Sequence, residues 1–97
     1  MDKQAKQKLY SDIVEFLRSN GATKVAVFGS YVRDEETPNS DIDVLADFNN
    51  GIGLLDLIRI ERELGEHIGK KVDLVMDGTF NPIVQKYVDK DLYILYK

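Results

Sequence analysis

The chain contains no cysteine, which removes disulfides, thiol nucleophiles and Cys-ligated zinc from the chemistry open to it. It also lacks any apolar run near the ~20 residues that a membrane-spanning helix needs. Its N-terminus, Met1 to Lys8, places no apolar core behind its positive charges, so neither export nor membrane insertion is expected and a cytoplasmic location fits. Basic excess is missing too: 13 Lys and Arg face 17 Asp and Glu, for a net charge of −4 and a pI near 4.9. Long nucleic acid is therefore not expected as the main partner, because neutralising a phosphate backbone takes a basic face. A nucleotide or a short end stays open, since a metal ion can carry that charge. At 97 residues the chain has room for one domain, 1–97, with one modest core, and any second substrate-binding unit must be borrowed. There is no internal repeat and no low-complexity segment.

What is there reads as alternating helices and strands. Leu9, Ile13, Phe16 and Leu17 recur at helical spacing from Lys3 to Asn20, with Asn20-Gly21 as a left-handed stop. Lys24 to Phe28 is a β-branched strand between Gly21 and Gly29. Tyr31 to Glu36 predicts a short helix opening at Gly29-Ser30, and Thr37-Pro38-Asn39-Ser40 is a loop by its turn residues. Asp41 to Asp47 alternates Asp41, Asp43, Leu45 and Asp47 against Ile42, Val44, Ala46 and Phe48, a strand with one apolar face. Leu54, Leu57, Ile58, Leu64 and Ile68 predict a helix from Leu54 to Ile68 closed by Gly69, with Glu61 in its apolar stripe as a half-exposed carboxylate paired with a lysine or arginine. Lys71 to Met76 is a third strand. Asn81-Pro82 starts a short helix over Ile83 to Asp89, and Asp91 to Tyr96 ends the chain as a strand or extended tail. A small sheet backed by helices on one face is the economical packing of this order.

The chemistry concentrates in three places. Asp41 and Asp43 fall on one face of a strand, where two carboxylates repel unless a cation sits between them. Hard oxygen ligands, few in number and completed by phosphate, are what Mg²⁺ takes. Alone the pair is weak evidence, since paired acids also occur at solvated strand edges. Gly29-Ser30 lies where a strand runs into a helix start, a backbone nest suited to phosphate, although such a dipeptide is more often only a turn. Asp73 stands among Val72, Leu74 and Val75, where a charge costs free energy unless it is paired or used; if its strand lies beside Asp41–Asp47, the three acids meet. Ser40, directly before the pair, reads either as a local cap or as a hydrogen-bonding supporter of a metal shell. His67 near a helix C-terminus reads as a surface cation. Tyr87, Tyr93 and Tyr96 read as packing, and Lys70-Lys71 as a charged strand entrance rather than a phosphate contact.

Gly29-Ser30, the ten residues 31 to 40, Asp41-Ile42-Asp43 and the distant Val72-Asp73-Leu74-Val75 closely resemble the minimal nucleotidyltransferase (MNT) proteins of the DNA polymerase beta-type superfamily. The resemblance covers nearly the whole chain and implies an α/β (α+β) fold, a small mixed sheet flanked by helices. It implies that Asp41 and Asp43 hold Mg²⁺, two ions in all, that Asp73 helps to hold metal or to activate the attacking hydroxyl, and that Gly29 and Ser30 contact the triphosphate of ATP. Arg33 matches a basic residue that many members carry; it reads as steering phosphate or, equally, as an ion pair with Asp34, Glu35 or Glu36. Asp34 stands where relatives often have glycine, a departure that bears on the shape of the 31–40 loop. MNT proteins are often antitoxins of HEPN-type RNase toxins, and some silence the toxin by adding AMP to a tyrosine. That expectation stands beside two others: transfer to a small molecule or an RNA end, and a non-catalytic antitoxin acting by contact alone. Homo-oligomerisation stays open.

Overall fold

The computed structural model describes residues 2–49, 51–76 and 91–97. Helix α1 (Lys3–Ser19) begins where Asp2 accepts the Ala5 amide at 2.7 Å and ends before Gly21, which takes the left-handed φ of +96°. Strand β1 (Ala22–Phe28) runs into a single 3₁₀ turn, Gly29–Tyr31. Then follow β2 (Ile42–Phe48), helix α2 (Leu54–Ile68), β3 (Val72–Met76) and β4 (Tyr93–Tyr96). The predicted helix Ile83 to Asp89, its Asn81-Pro82 start and Tyr87 lie outside the described residues. No helix among the described residues is long and apolar enough to cross a membrane.

The sheet has the order β3-β2-β1-β4, with β1 antiparallel to both β2 and β4 and β2 parallel to β3. A parallel neighbour requires a crossover, and α2 supplies it. Both helices lie against the face formed by Val25, Val27, Ile42, Val44, Ala46, Phe48, Val72 and Leu74, where Ile13 and Leu17 of α1 meet Ile60 and Leu64 of α2. His67 stacks on Phe16 with ring centroids 5.3 Å apart, which gives the lone histidine a packing role on the surface. The alternation read in β2 places Asp43, Leu45 and Asp47 on the opposite face.

Three expectations need correction. The apolar stripe of α2 is turned: Leu57, Ile60, Leu64 and Ile68 face the core, whereas Leu54 and Ile58 are 71% and 51% exposed. Periodicity allowed both registers, and the sheet selects the one that buries Ile60. Among the described residues Glu61 has no cation partner; its carboxylate accepts the Leu74 backbone N–H at 2.7 Å. Because β3 is an edge strand, this bond occupies a backbone donor that the sheet does not use. Finally, the predicted helix Tyr31–Glu36 stops at the 3₁₀ turn, because Asp34 adopts a left-handed φ of +58° that no right-handed helix can include. Here the conformation is held by Lys6 Nζ, 2.6 Å from the Asp34 carboxylate.

Replacing Glu61 tests the edge bond. Glu61→Ala should cost about 1–2 kcal/mol of stability and expose the Leu74 amide to hydrogen exchange, while Glu61→Gln, which keeps an acceptor oxygen, should retain most of both. Unchanged exchange at Leu74 in the alanine variant contradicts the assignment.

Candidate active site

The parallel register sets Asp43 directly beside Asp73, and the antiparallel register sets it beside Phe28 on its other side. Asp41 precedes β2 by one residue, half-buried, and its charge acts on the Asp43 carboxyl. Two strand carboxylates and the one just before β2 thus gather at the end of the sheet where β1 turns into Gly29–Tyr31. That close approach depends on glycine. Gly29 has φ of +79°, a backbone conformation that favours glycine, and a Cβ there would push the Asp43 carboxylate aside. The amides of Gly29, Ser30 and Tyr31 open the helical turn, where N–H groups lack intrahelical partners. The Val32 and Arg33 amides close it on the Gly29 carbonyl at 3.1 and 3.3 Å.

Burial raises the Asp43 carboxyl to about 6, helped by the charge of Asp73, a hydrogen bond with it and the charge of Asp41, against a smaller opposing pull from Arg33. Asp43 is therefore a group that the fold crowds with negative charge. Among the described residues no three acidic or histidine side chains form a complete metal-binding group by themselves. The donor set is carboxylate only, a set whose crowding a divalent cation would relieve; Mg²⁺ commonly takes one or two protein carboxylates and completes its shell with water and substrate phosphate. These acids fit such an ion in company with a phosphorylated substrate and do not fit a self-sufficient cage.

The remaining sequence candidates are placed as follows. The Ser40 hydroxyl accepts the Thr37 amide at 2.8 Å and lies 3.2 Å from the Thr37 hydroxyl, which matches the local-cap reading. Arg33 pairs with Glu35 at 3.0 Å and with Asp91 at 2.7 Å, while Asp34 and Glu36 both go to Lys6. Lys6 is the residue that sequence reasoning missed. Its ammonium also donates to the Tyr31 carbonyl at 3.0 Å, so one α1 side chain suspends the whole segment between Gly29-Ser30 and the acids. Burial works against the charged ammonium, yet the hydrogen bonds to Asp34 and Glu36 raise its pKa on balance, and Lys6 in turn lowers Glu36. The available signal was its place three residues before Leu9 and seven before Ile13, on the apolar stripe of α1. Asp91 had no such signal.

The Asp43 shift has a definite sign. Its folded pKa lies above the unfolded value of about 3.9, so its contribution to stability is fully present below about pH 4 and is lost as pH rises through about 6. In chelator, Asp43→Asn should therefore melt higher than the parent above pH 6, by about 1 kcal/mol of stability after solvent screening, and the two should converge near pH 4. A difference that does not depend on pH contradicts the crowding.

The family model described as a nucleotidyltransferase domain matches residues 10–95. A Methanocaldococcus jannaschii protein with the provisional name protein adenylyltransferase is 40% identical over 73 residues, spanning 75% of this chain and 78% of its own. A solved structure provisionally named a minimal nucleotidyltransferase superposes with a TM-score of 0.79 at 30% identity, covering 98% of this chain and 97% of that one. Two solved toxin–antitoxin structures share the fold. One, with AMP-PNP, has a TM-score of 0.81 at 22% identity over 90% of this chain and 72% of that chain. The other, a tri-AMPylated Shewanella oneidensis HEPN toxin with its MNT antitoxin, has a TM-score of 0.77 at 20% identity over 94% and 71%. With the family model spanning both strands of the acid cluster and its glycine turn, the chain belongs to the nucleotidyltransferase domain family.

Proposed function

We propose that this chain is a Mg²⁺-dependent nucleotidyltransferase that moves AMP from ATP onto a hydroxyl, a tyrosine, of a HEPN-type RNase toxin, and so acts as its antitoxin. The observation that carries the reading is the placement of Asp43 beside Asp73, against a glycine at which a side chain would displace the Asp43 carboxylate. Support for the adenylyl donor and the protein acceptor comes from the name of the Methanocaldococcus jannaschii relative and from the AMP-PNP and tri-AMPylated toxin structures.

The chain's own residues divide the work. Asp41 and Asp43 are the metal-holding pair, and bound Mg²⁺ supplies the charge neutralisation that phosphoryl transfer needs. The Gly29-Ser30 turn offers backbone amides to the triphosphate. Asp73, exposed at the outer strand of the cluster, faces the side from which an acceptor would come and takes the proton of its hydroxyl as that oxygen attacks the α-phosphorus and pyrophosphate leaves. The partner supplies the acceptor.

Incubating the protein with α-labelled ATP, Mg²⁺ and a co-encoded HEPN-type partner should label the partner. Asp41→Asn and Asp43→Asn should each lower the labelling rate by at least about a hundredfold, with the circular dichroism spectrum unchanged. Asp73→Asn should abolish transfer and leave Mg·ATP affinity within a few-fold. Inhibition of the partner that survives in unlabelled complexes with the Asp41 and Asp43 variants contradicts the enzymatic reading.

A further inference from the structure

Two cations stand beside the acid cluster, and they are held differently. Arg33 is committed: Nε donates to Glu35 at 3.0 Å and Nη1 to Asp91 at 2.7 Å. The bond to Asp91 ties the loop after Gly29-Ser30 to the segment entering β4, the bond to Glu35 stays within the loop, and two carboxylates outweigh the one positive charge. Lys71 is not held in this way. Its backbone is fixed, because the Ile42 amide donates to the Lys71 carbonyl at 3.0 Å, which pins the residue beside Asp41 and two positions before Asp73. Its side chain is 77% exposed, and Nζ stands 3.7 Å from the Asp41 carboxylate, beyond hydrogen-bond distance. An exposed ion pair of this kind contributes little to stability and exchanges readily.

Fixed backbone, exposed ammonium and a carboxylate partner beyond hydrogen-bond distance describe a cation that can change partners without disturbing the fold. Anything that takes over Asp41 frees Lys71, and a polyphosphate held at Asp41 and Asp43 brings dense negative charge within reach of its flexible stem. We propose that Lys71 is a triphosphate-binding residue, screening Asp41 in the nucleotide-free protein and turning onto the β- or γ-phosphate when nucleotide binds, while Arg33 serves to anchor the loop. This rests on the nucleotidyltransferase reading above and adds a donor contact to it. Of the two readings the sequence left open for Arg33, the ion pair with Glu35 is the one present, and Lys71, read there as a charged strand entrance, takes the phosphate role.

Two titrations test it. Calorimetry of Mg·ATP binding should show Lys71→Met weakened by about tenfold, the scale of one lost charge-assisted contact, and Lys71→Arg within about threefold of the parent. Mn²⁺ alone, followed by electron paramagnetic resonance, should bind Lys71→Met at least as tightly as the parent, since the competitor for Asp41 is gone. Equal Mg·ATP affinity in the parent and Lys71→Met overturns the proposal, as does a parallel loss of Mn²⁺ and Mg·ATP binding, which would make Lys71 a determinant of site shape. A parent protein that fails to bind Mg·ATP at all sinks the nucleotidyltransferase reading itself.

Discussion

Two like charges facing one another across a parallel strand pair are the constraint around which this structure is arranged. Asp43 and Asp73 are register partners, and opposed like charges weaken a sheet. Sequence could have relieved the strain at either position with an amide or an aliphatic side chain. Instead the surroundings intensify it. Asp43 is partly buried, Asp41 adds its charge, and the Asp43 carboxyl is driven to about 6. Sites that crowd like charges in this way give up stability that a ligand later restores.

The architecture brings a second set of parts to that spot. The crossover through α2 allows β3 to run parallel to β2 and so aligns Asp73 with Asp43. Glu61, from the same helix, secures the edge strand at Leu74, the residue after Asp73. On the other side, Gly29 lets β1 turn against the Asp43 carboxylate, and Lys6 gathers Tyr31, Asp34 and Glu36 into one support for the turn. Helix packing, edge protection and loop shape all converge on the position of a few carboxylate oxygens.

The features readable in the sequence were those fixed by local pattern. The alternation through β2 gave the faces of Asp41 and Asp43, and the apolar period with Gly69 bounded α2 at Leu54 and Ile68. What escaped depended on partners far away in the chain. Lys6 meets residues 25 to 30 positions later, and Arg33 meets Asp91, 58 positions later. Glu61 stood in an apolar stripe and invited a cation, whereas its acceptor role appears only once β3 is known to be an edge. Asp34 is the instructive middle case: its departure from a glycine position was visible, and the Lys6 contact that holds it in the left-handed region was not.

The fold crowds Asp43 with negative charge, a burden that the proposed divalent cation would relieve. A carbon-13 NMR titration of the Asp43 carboxyl tests this directly. The midpoint should lie near 6 in chelator and fall to or below the ordinary aspartate value of about 3.9 in saturating Mg²⁺ with a non-hydrolysable ATP analogue. An ordinary midpoint in chelator, or a raised one that Mg²⁺ and nucleotide leave in place, would contradict it.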